Sequence, residues 1–232
     1  MAMERAAEEP ISRREAGKAD RRRRIIHAAR DLIRETGNAG LSMRALAARA
    51  GVSLATPYNL FGSKRAIVLA VLDDVREFQD RFAHLRSSDP LERLFTAVDM
   101  AIEFYVSDPL FYRTLWAAVF DTSDDVRREI YNWKRNDFWL GLIRECAAAG
   151  AIAPSVNVEL LFHMLDHIFR SAMLDWVVGE VPPDLLAPTI HYGYALMLKG
   201  AATAEWRGPL EARIADAQTR VEAGALRSIP TP

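Results

Sequence analysis

Few of the 232 residues combine into patterns able to do chemistry. His163 and His167 stand four apart, one turn of a helix, the spacing at which two imidazoles can share a zinc ion. A carboxylate or third histidine must complete such a site, and the sequence places none beside them. The pair therefore reads first as core or interface histidines. Cys146 is the single cysteine. It rules out an internal disulfide framework and a cysteine-based zinc site, and it suits a reducing, cytoplasmic setting. Its neighbours Arg144, Glu145 and a run of alanines supply no local base for a nucleophile. A glycine-rich phosphate loop, a serine nucleophile elbow and a paired-carboxylate motif are all missing. The expectation is a protein that is not an enzyme and uses no metal or cofactor.

The charged residues say more. The net charge is −1, but residues 1–65 hold 14 Lys and Arg against 7 Asp and Glu, a balance of +7. The rest of the chain carries −8. A basic head on an acidic body is the charge layout of a nucleic-acid binder. The chain is 50% hydrophobic and 26% charged, ordinary for a folded globular protein. It shows neither the apolar run of a signal peptide nor the ~18 uninterrupted apolar residues of a membrane helix.

The elements that must position these residues all read as helices. Residues 1–19 are polar and aperiodic, a flexible basic arm. Arg21–Arg24 opens a helix with apolar residues at Ile25, Ala28, Ala29, Leu32 and Ile33, the spacing of one buried face. Gly37 and Gly40 end it. Ser42 caps a second short helix through Ala50, Ser53 caps a third through Phe61, and Ser63 caps a fourth from Lys64 to about Phe78. Amphipathic stretches follow at 91–106 and 109–120. A long helix is expected over 124–149, then helices at 158–178, 185–202 and 210–226. No stretch alternates with the period of a strand. The chain is expected to be all-α, with an N-terminal three-helix helix-turn-helix domain at 20–80 joined to a helical ligand-binding and dimerisation domain at 81–232.

Residues Met43–Leu60 meet the requirements of a helix-turn-helix. Ala47 is small where two helices cross closely. Gly51 supplies a turn residue tolerant of positive φ. Leu46, Val52 and Leu60 supply apolar contacts that fix the crossing angle. The second helix would then lie in the major groove of DNA. At this point the sequence resembles the TetR family of bacterial repressors. The resemblance is carried by Leu41–Ala47 and by Gly51-Val52-Ser53, Thr56, Tyr58, Phe61 and the closing pair Ser63-Lys64. It covers about residues 21–75. Pro57 departs from the usual leucine and is expected to remove one early helical hydrogen bond, tolerable in a first turn but not free. Leu60 departs from the usual histidine and removes one backbone contact.

The resemblance implies roles for individual residues. Lys64 matches the family's phosphate-gripping lysine, and with Arg65 it suits an anion docking at a helix N-terminus. Tyr58 resembles the DNA-facing tyrosine, its hydroxyl reaching a phosphate and its ring covering a thymine methyl. Ser53 begins this segment. Thr56 bonds either a phosphate or its own backbone. Arg44 bridges guanine O6 and N7 or remains a surface arginine. Leu54 and Ala55 touch thymine methyls. Asn59 pairs with adenine or contacts a phosphate. Arg21–Arg24 either track the DNA backbone or minor groove or form a solvated run.

All five tryptophans lie beyond residue 115, among many phenylalanines. Most are core. Embedded with them are Asp99, Asp137, His163, Asp166, His167 and Arg170, and such a mixture can enclose an apolar cavity with a few polar anchors. The resemblance implies a pocket between the middle helices, for which the candidates are Phe104, Trp116, Phe120, Trp133, Asp137, Phe138, His163 and His167. Residues 158–178 and 185–202 are apolar over most of their circumference and need cover on more than one face. The family's use of its last major helices in a two-fold bundle implies a homodimer on a palindromic operator in double-stranded DNA. The leading function is a repressor released by an apolar or aromatic small molecule. The alternative is a constitutive or partner-controlled regulator.

Overall fold

The structure is a computed structural model, and it describes residues 13–37, 41–73, 82, 87–120 and 134–227. The described residues form ten helices and one isolated β-bridge. The chain divides into two compact units, Met1–Asp74 and Val75–Pro232. The expected boundary at 80/81 falls a few residues later.

In the first unit, α1 spans Arg13–Thr36 and buries Ile25, Ala28, Ala29 and Ile33 on one stripe. It begins eight residues before the predicted start at Arg21, so residues 13–19 of the expected arm are its first turns. Residues 1–12 of that arm lie outside the described residues. The polarity of residues 13–19 hid the start of the helix, because its first two turns carry no apolar stripe to reveal a period. α2 (Met43–Arg49) starts at Ser42, whose Oγ accepts the Ala45 N–H at 3.3 Å. α3 (Ala55–Phe61) follows the turn at Gly51, where φ is +62°. α4 (Lys64–Asp73) starts at Ser63, whose Oγ accepts the Ala66 N–H at 3.0 Å. It packs on α1, and α2 and α3 close the unit against the same helix.

One predicted cap is different. Ser53 does not cap α3. Leu54 occupies the cap position without a side-chain hydrogen bond, and the Ser53 hydroxyl lies 2.8 Å from that of Thr56. Pro57 is the third residue of α3 and is buried. An N–H there would have no intrahelical partner, so proline costs no hydrogen bond.

In the second unit, α5 (Pro90–Val106) opens with Asp89 accepting the Leu91 and Glu92 N–H groups and with Pro90 in the first turn. α6 spans Pro109–Phe120 and α7 Lys134–Ala148. The earlier part of the helix predicted over 124–149 lies largely outside the described residues. α8 (Val158–Val178) is capped by Asn157 and ends at Gly179 in the left-handed conformation. α9 spans Pro183–Ala201 and α10 Ala204–Arg227. α10 therefore begins six residues before the predicted Leu210.

Antiparallel α9 and α10 pack most extensively, and α8 lies against α6, α7 and α9. α5 contacts α6, α7 and α9. The links before α8 and before α10 are tied together: Ala153 N–H donates to Ala201 O at 2.8 Å and the Thr203 hydroxyl to Gly150 O at 2.8 Å. The core centres on Trp116 and Trp176, with Phe95, Leu115 and Leu165, all fully buried. Tyr105 meets Trp116 edge to face at 5.8 Å, an arrangement favoured by the ring quadrupoles.

Candidate nucleic-acid interface and ligand cavity

The site is built on α3. A helix advances about 100° per residue, so Leu54, Ala55, Tyr58 and Asn59 share an arc of about 140°. All four are exposed, Leu54 at 51% and Tyr58 at 49%. Two large side chains half in water on a seven-residue helix are informative, because an apolar face with nothing to cover it marks an interaction surface. The opposite side of α3 turns inward through Pro57, with Leu60 and Phe61 half-buried. Leu46 and Ala47 of α2 are buried beneath the turn, and the Val52 N–H donates to Ala47 O at 3.0 Å. Apolar contacts thus orient α3 from behind while its front stays open.

The remaining predicted contacts surround this front. Ser53 and Arg44 are exposed, and Thr56 and Lys64 half-buried. Lys64 is the first residue of α4, directly after the Ser63 cap. All eight predicted DNA-contacting residues therefore have solvent access. The Thr56 hydroxyl lies 2.8 Å from that of Ser53, a side-chain partner and neither the phosphate nor the backbone group expected.

The arginine run at 21–24 is more differentiated than its sequence suggested. Arg22 Nη1 donates to Leu60 O at 3.2 Å, and its guanidinium covers the Phe61 ring at 4.2 Å. Arg24 Nη1 donates to Ala50 O at 3.0 Å and Gly51 O at 3.4 Å. Asp20 pairs with both Arg23 and Arg24. From α2, Arg49 reaches Glu35 at 2.6 Å, and that hydrogen bond holds the Glu35 carboxyl below its ordinary range. Sequence reasoning missed these contacts. Partners 38 and 26 residues away leave no local signal.

In the second unit, a crevice is lined by Leu94, Trp139, Ile143, Phe162, Leu165, Asp166, Phe169 and Tyr194. Its atom-free space is about 300 Å³, counting the open mouth. Asp166 forms an ion pair with Arg170 at 2.5 Å, and both are largely buried. None of the predicted pocket residues is among this lining. Trp116 and Phe138 lie one ring behind it and Phe120 a further ring out: Trp116 contacts Phe169 at 6.0 Å and stacks on Phe120 at 5.6 Å, and Phe138 contacts Trp139 at 5.3 Å. Phe104 contacts Tyr105 and Tyr112 instead. Asp137 and His167 are exposed and His163 is half-buried. Trp133 lies outside the described residues. Helical period alone gives the apolar arc but not which part of it stays uncovered, so the lining residues were not separable from their neighbours in the sequence.

Among the described residues, no three of His, Cys, Asp and Glu stand together as a metal set. Cys146 is fully buried on α7. Burial first, then the carboxylates of Glu145 and Asp89, push its thiol up to about 12. No described helix is long and apolar enough to cross a membrane.

Comparison with known proteins agrees with this geometry. Residues 25–71 match the family model of bacterial regulatory proteins of the tetR family. The HTH-type transcriptional repressor KstR2 of Mycolicibacterium smegmatis is 25% identical over 153 residues, 63% of this chain and 75% of that protein. A TetR transcriptional regulator from Rhodococcus sp. RHA1 superposes with a TM-score of 0.64 at 20% identity, covering 78% of this chain and 97% of its own. The Thermus thermophilus FadR repressor, in complex with lauroyl-CoA, superposes with a TM-score of 0.63 at 21% identity, covering 78% and 95%. α1–α4 form a helix-turn-helix unit, most of which the family model matches. Over that unit the chain is similar to the TetR family of transcriptional regulators.

Proposed function

We propose that this chain is a cytoplasmic repressor that binds a palindromic operator as a homodimer and leaves it when an apolar or aromatic small molecule occupies the second unit. The observation that carries the DNA-binding half is the open arc of Leu54, Ala55, Tyr58 and Asn59, flanked by Arg44 and Lys64. Within it, Lys64 and Tyr58 hold phosphates, Arg44 and Asn59 address base edges, and Leu54 and Ala55 meet thymine methyls.

Support for the dimer comes from α8. Leu160, Met164, Leu174 and Val178 are all exposed, and their spacing puts them within about 40° of one line along the helix. Leu196 and Met197 of α9 are exposed as well. An exposed line of this length, apolar except for His167 and Ser171 midway along it, calls for a matching surface, and a second copy supplies one by two-fold symmetry. Two such copies would set their α3 helices one DNA turn apart, ~34–36 Å.

Support for the sensor comes from the crevice around Trp139, Phe162 and Phe169, apolar with Asp166 and Tyr194 as its polar groups. FadR of the same fold carries lauroyl-CoA. A ligand that prefers a state with the wrong α3 spacing releases DNA by shifting the population toward it. The crevice has room for about one water-sized molecule, which favours a second reading: a regulator with no small-molecule inducer. Thermal unfolding across a panel of apolar and aromatic compounds separates the two. The first reading predicts a raised Tm with at least one compound that also dissociates DNA, because a ligand bound to the native state stabilises it. No shift with any compound supports the second.

A further inference from the structure

We infer that Arg22 and Arg24 are positioning residues, which fix the placement of α3 from behind and do not themselves grip DNA. The inference rests on the DNA-facing reading of α3. The two arginines stand three and one positions before Ile25, the first buried residue of the α1 stripe, and so flank that stripe on either side. Each ends on a different helix terminus. Arg24 reaches the carbonyls of Ala50 and Gly51, where α2 stops and the turn begins. Arg22 reaches the carbonyl of Leu60 in the last turn of α3 and covers Phe61 beside it.

These are carbonyls that helix ends leave without intrahelical donors, at the negative pole of each helix dipole. A guanidinium answers both needs, and its planar fork lets one side chain hold several acceptors in fixed directions. Arg24 also pairs through Nε with Asp20, 3.2 Å away, so its half-exposed side chain has partners at both edges. The fit at the turn is close: a Cβ on Gly51 would lie 3.3 Å from Arg24 Nη1. A helix of seven residues has too few contacts of its own to hold its angle, so these two clamps, one ahead of α3 and one at its end, set the direction of the exposed arc.

Lysine keeps the charge of arginine but not the fork, and this separates positioning from phosphate contact. The experiment uses the full chain as Arg22→Lys, Arg24→Lys, Arg22→Ala and Arg24→Ala. Each is titrated against the duplex that the unaltered protein selects from a random library, and against a scrambled duplex of equal length, over a range of salt. The expected result is that lysine and alanine variants alike lose about tenfold or more on the selected duplex, the cost of a missing charged hydrogen bond. Affinity for the scrambled duplex and the salt slope stay near those of the unaltered protein for the lysine variants. Hydrogen exchange at α3 amides quickens while that at the Ile25–Ile33 stripe does not.

If the lysine variants bind like the unaltered protein while the alanine variants lose about one unit of salt slope, both arginines are phosphate contacts and the inference is overturned. It is equally overturned if the lysine variants leave the selected-duplex affinity unchanged, or if they unfold at the assay temperature, since the clamps would then set the existence of the unit and not its geometry. If the unaltered protein itself binds no duplex, the DNA-facing reading has failed and this inference with it.

Discussion

At the scale of single residues, charge and burial decide what each group can do. Lys64 sits half in water at the start of α4, and a phosphate there meets both the ammonium and the helix N-terminus. Lys64→Ala is expected to weaken binding to all duplexes alike and to lower the slope of log affinity against log salt by about one unit, read from titrations at several salt concentrations. Arg44 is exposed on α2. Arg44→Ala is expected to lose about 1–3 kcal/mol of discrimination at one base position, measured on single-substituted duplexes; uniform weakening would place it on the backbone. Cys146 is the opposite case. Burial holds its thiol near 12 against an ordinary 9.0, so the native state keeps a proton that the unfolded chain releases. Its contribution is complete below pH 9 and disappears as the pH rises toward 12. Between pH 9 and 11, urea unfolding of Cys146→Ala should therefore show a shallower loss of stability than the unaltered chain.

At the scale of elements, short helices depend on their neighbours. Seven residues make a marginal helix in water, so α2 and α3 exist because α1 supports them. That support was half legible in the sequence. The period-3.6 stripe at Ile25–Ile33, the caps at Ser42 and Ser63 and the turn at Gly51 are local signals, and the structure has them. The early start of α1, the absence of a cap at Ser53 and the reach of Arg22 and Arg24 depend on distant carbonyls or on polar turns, which no local period records. The exposed face of α8 shows the same division. Its apolarity was legible, while its four uncovered side chains became visible only once α6, α7 and α9 had claimed the other sides. Met164→Glu with Leu174→Glu places two like charges on that stripe. Sedimentation is expected to show a dimer for the unaltered chain and monomers for the variant with helix content retained. A variant that remains dimeric would move the interface elsewhere.

At the scale of the molecule, a basic unit and an acidic unit divide the work. The first holds a rigid, outward-facing short helix; the second holds an aromatic core with a narrow crevice and a long, largely apolar stripe. Which cavity lining the second unit would have was not legible, because Trp116 and Phe138 of the predicted set pack directly on Phe169 and Trp139 of the observed lining. The account depends most on α3 meeting a duplex groove with its open arc. The direct measurement is titration of the purified chain against labelled random-sequence duplex at about 50 mM salt, where backbone contacts are strongest, with Tyr58→Ala and Lys64→Ala beside it. The account predicts that the unaltered chain retards the duplex and that each substitution weakens this without altering the fold. A chain that retards no duplex, or substitutions at both positions that change nothing, would contradict it.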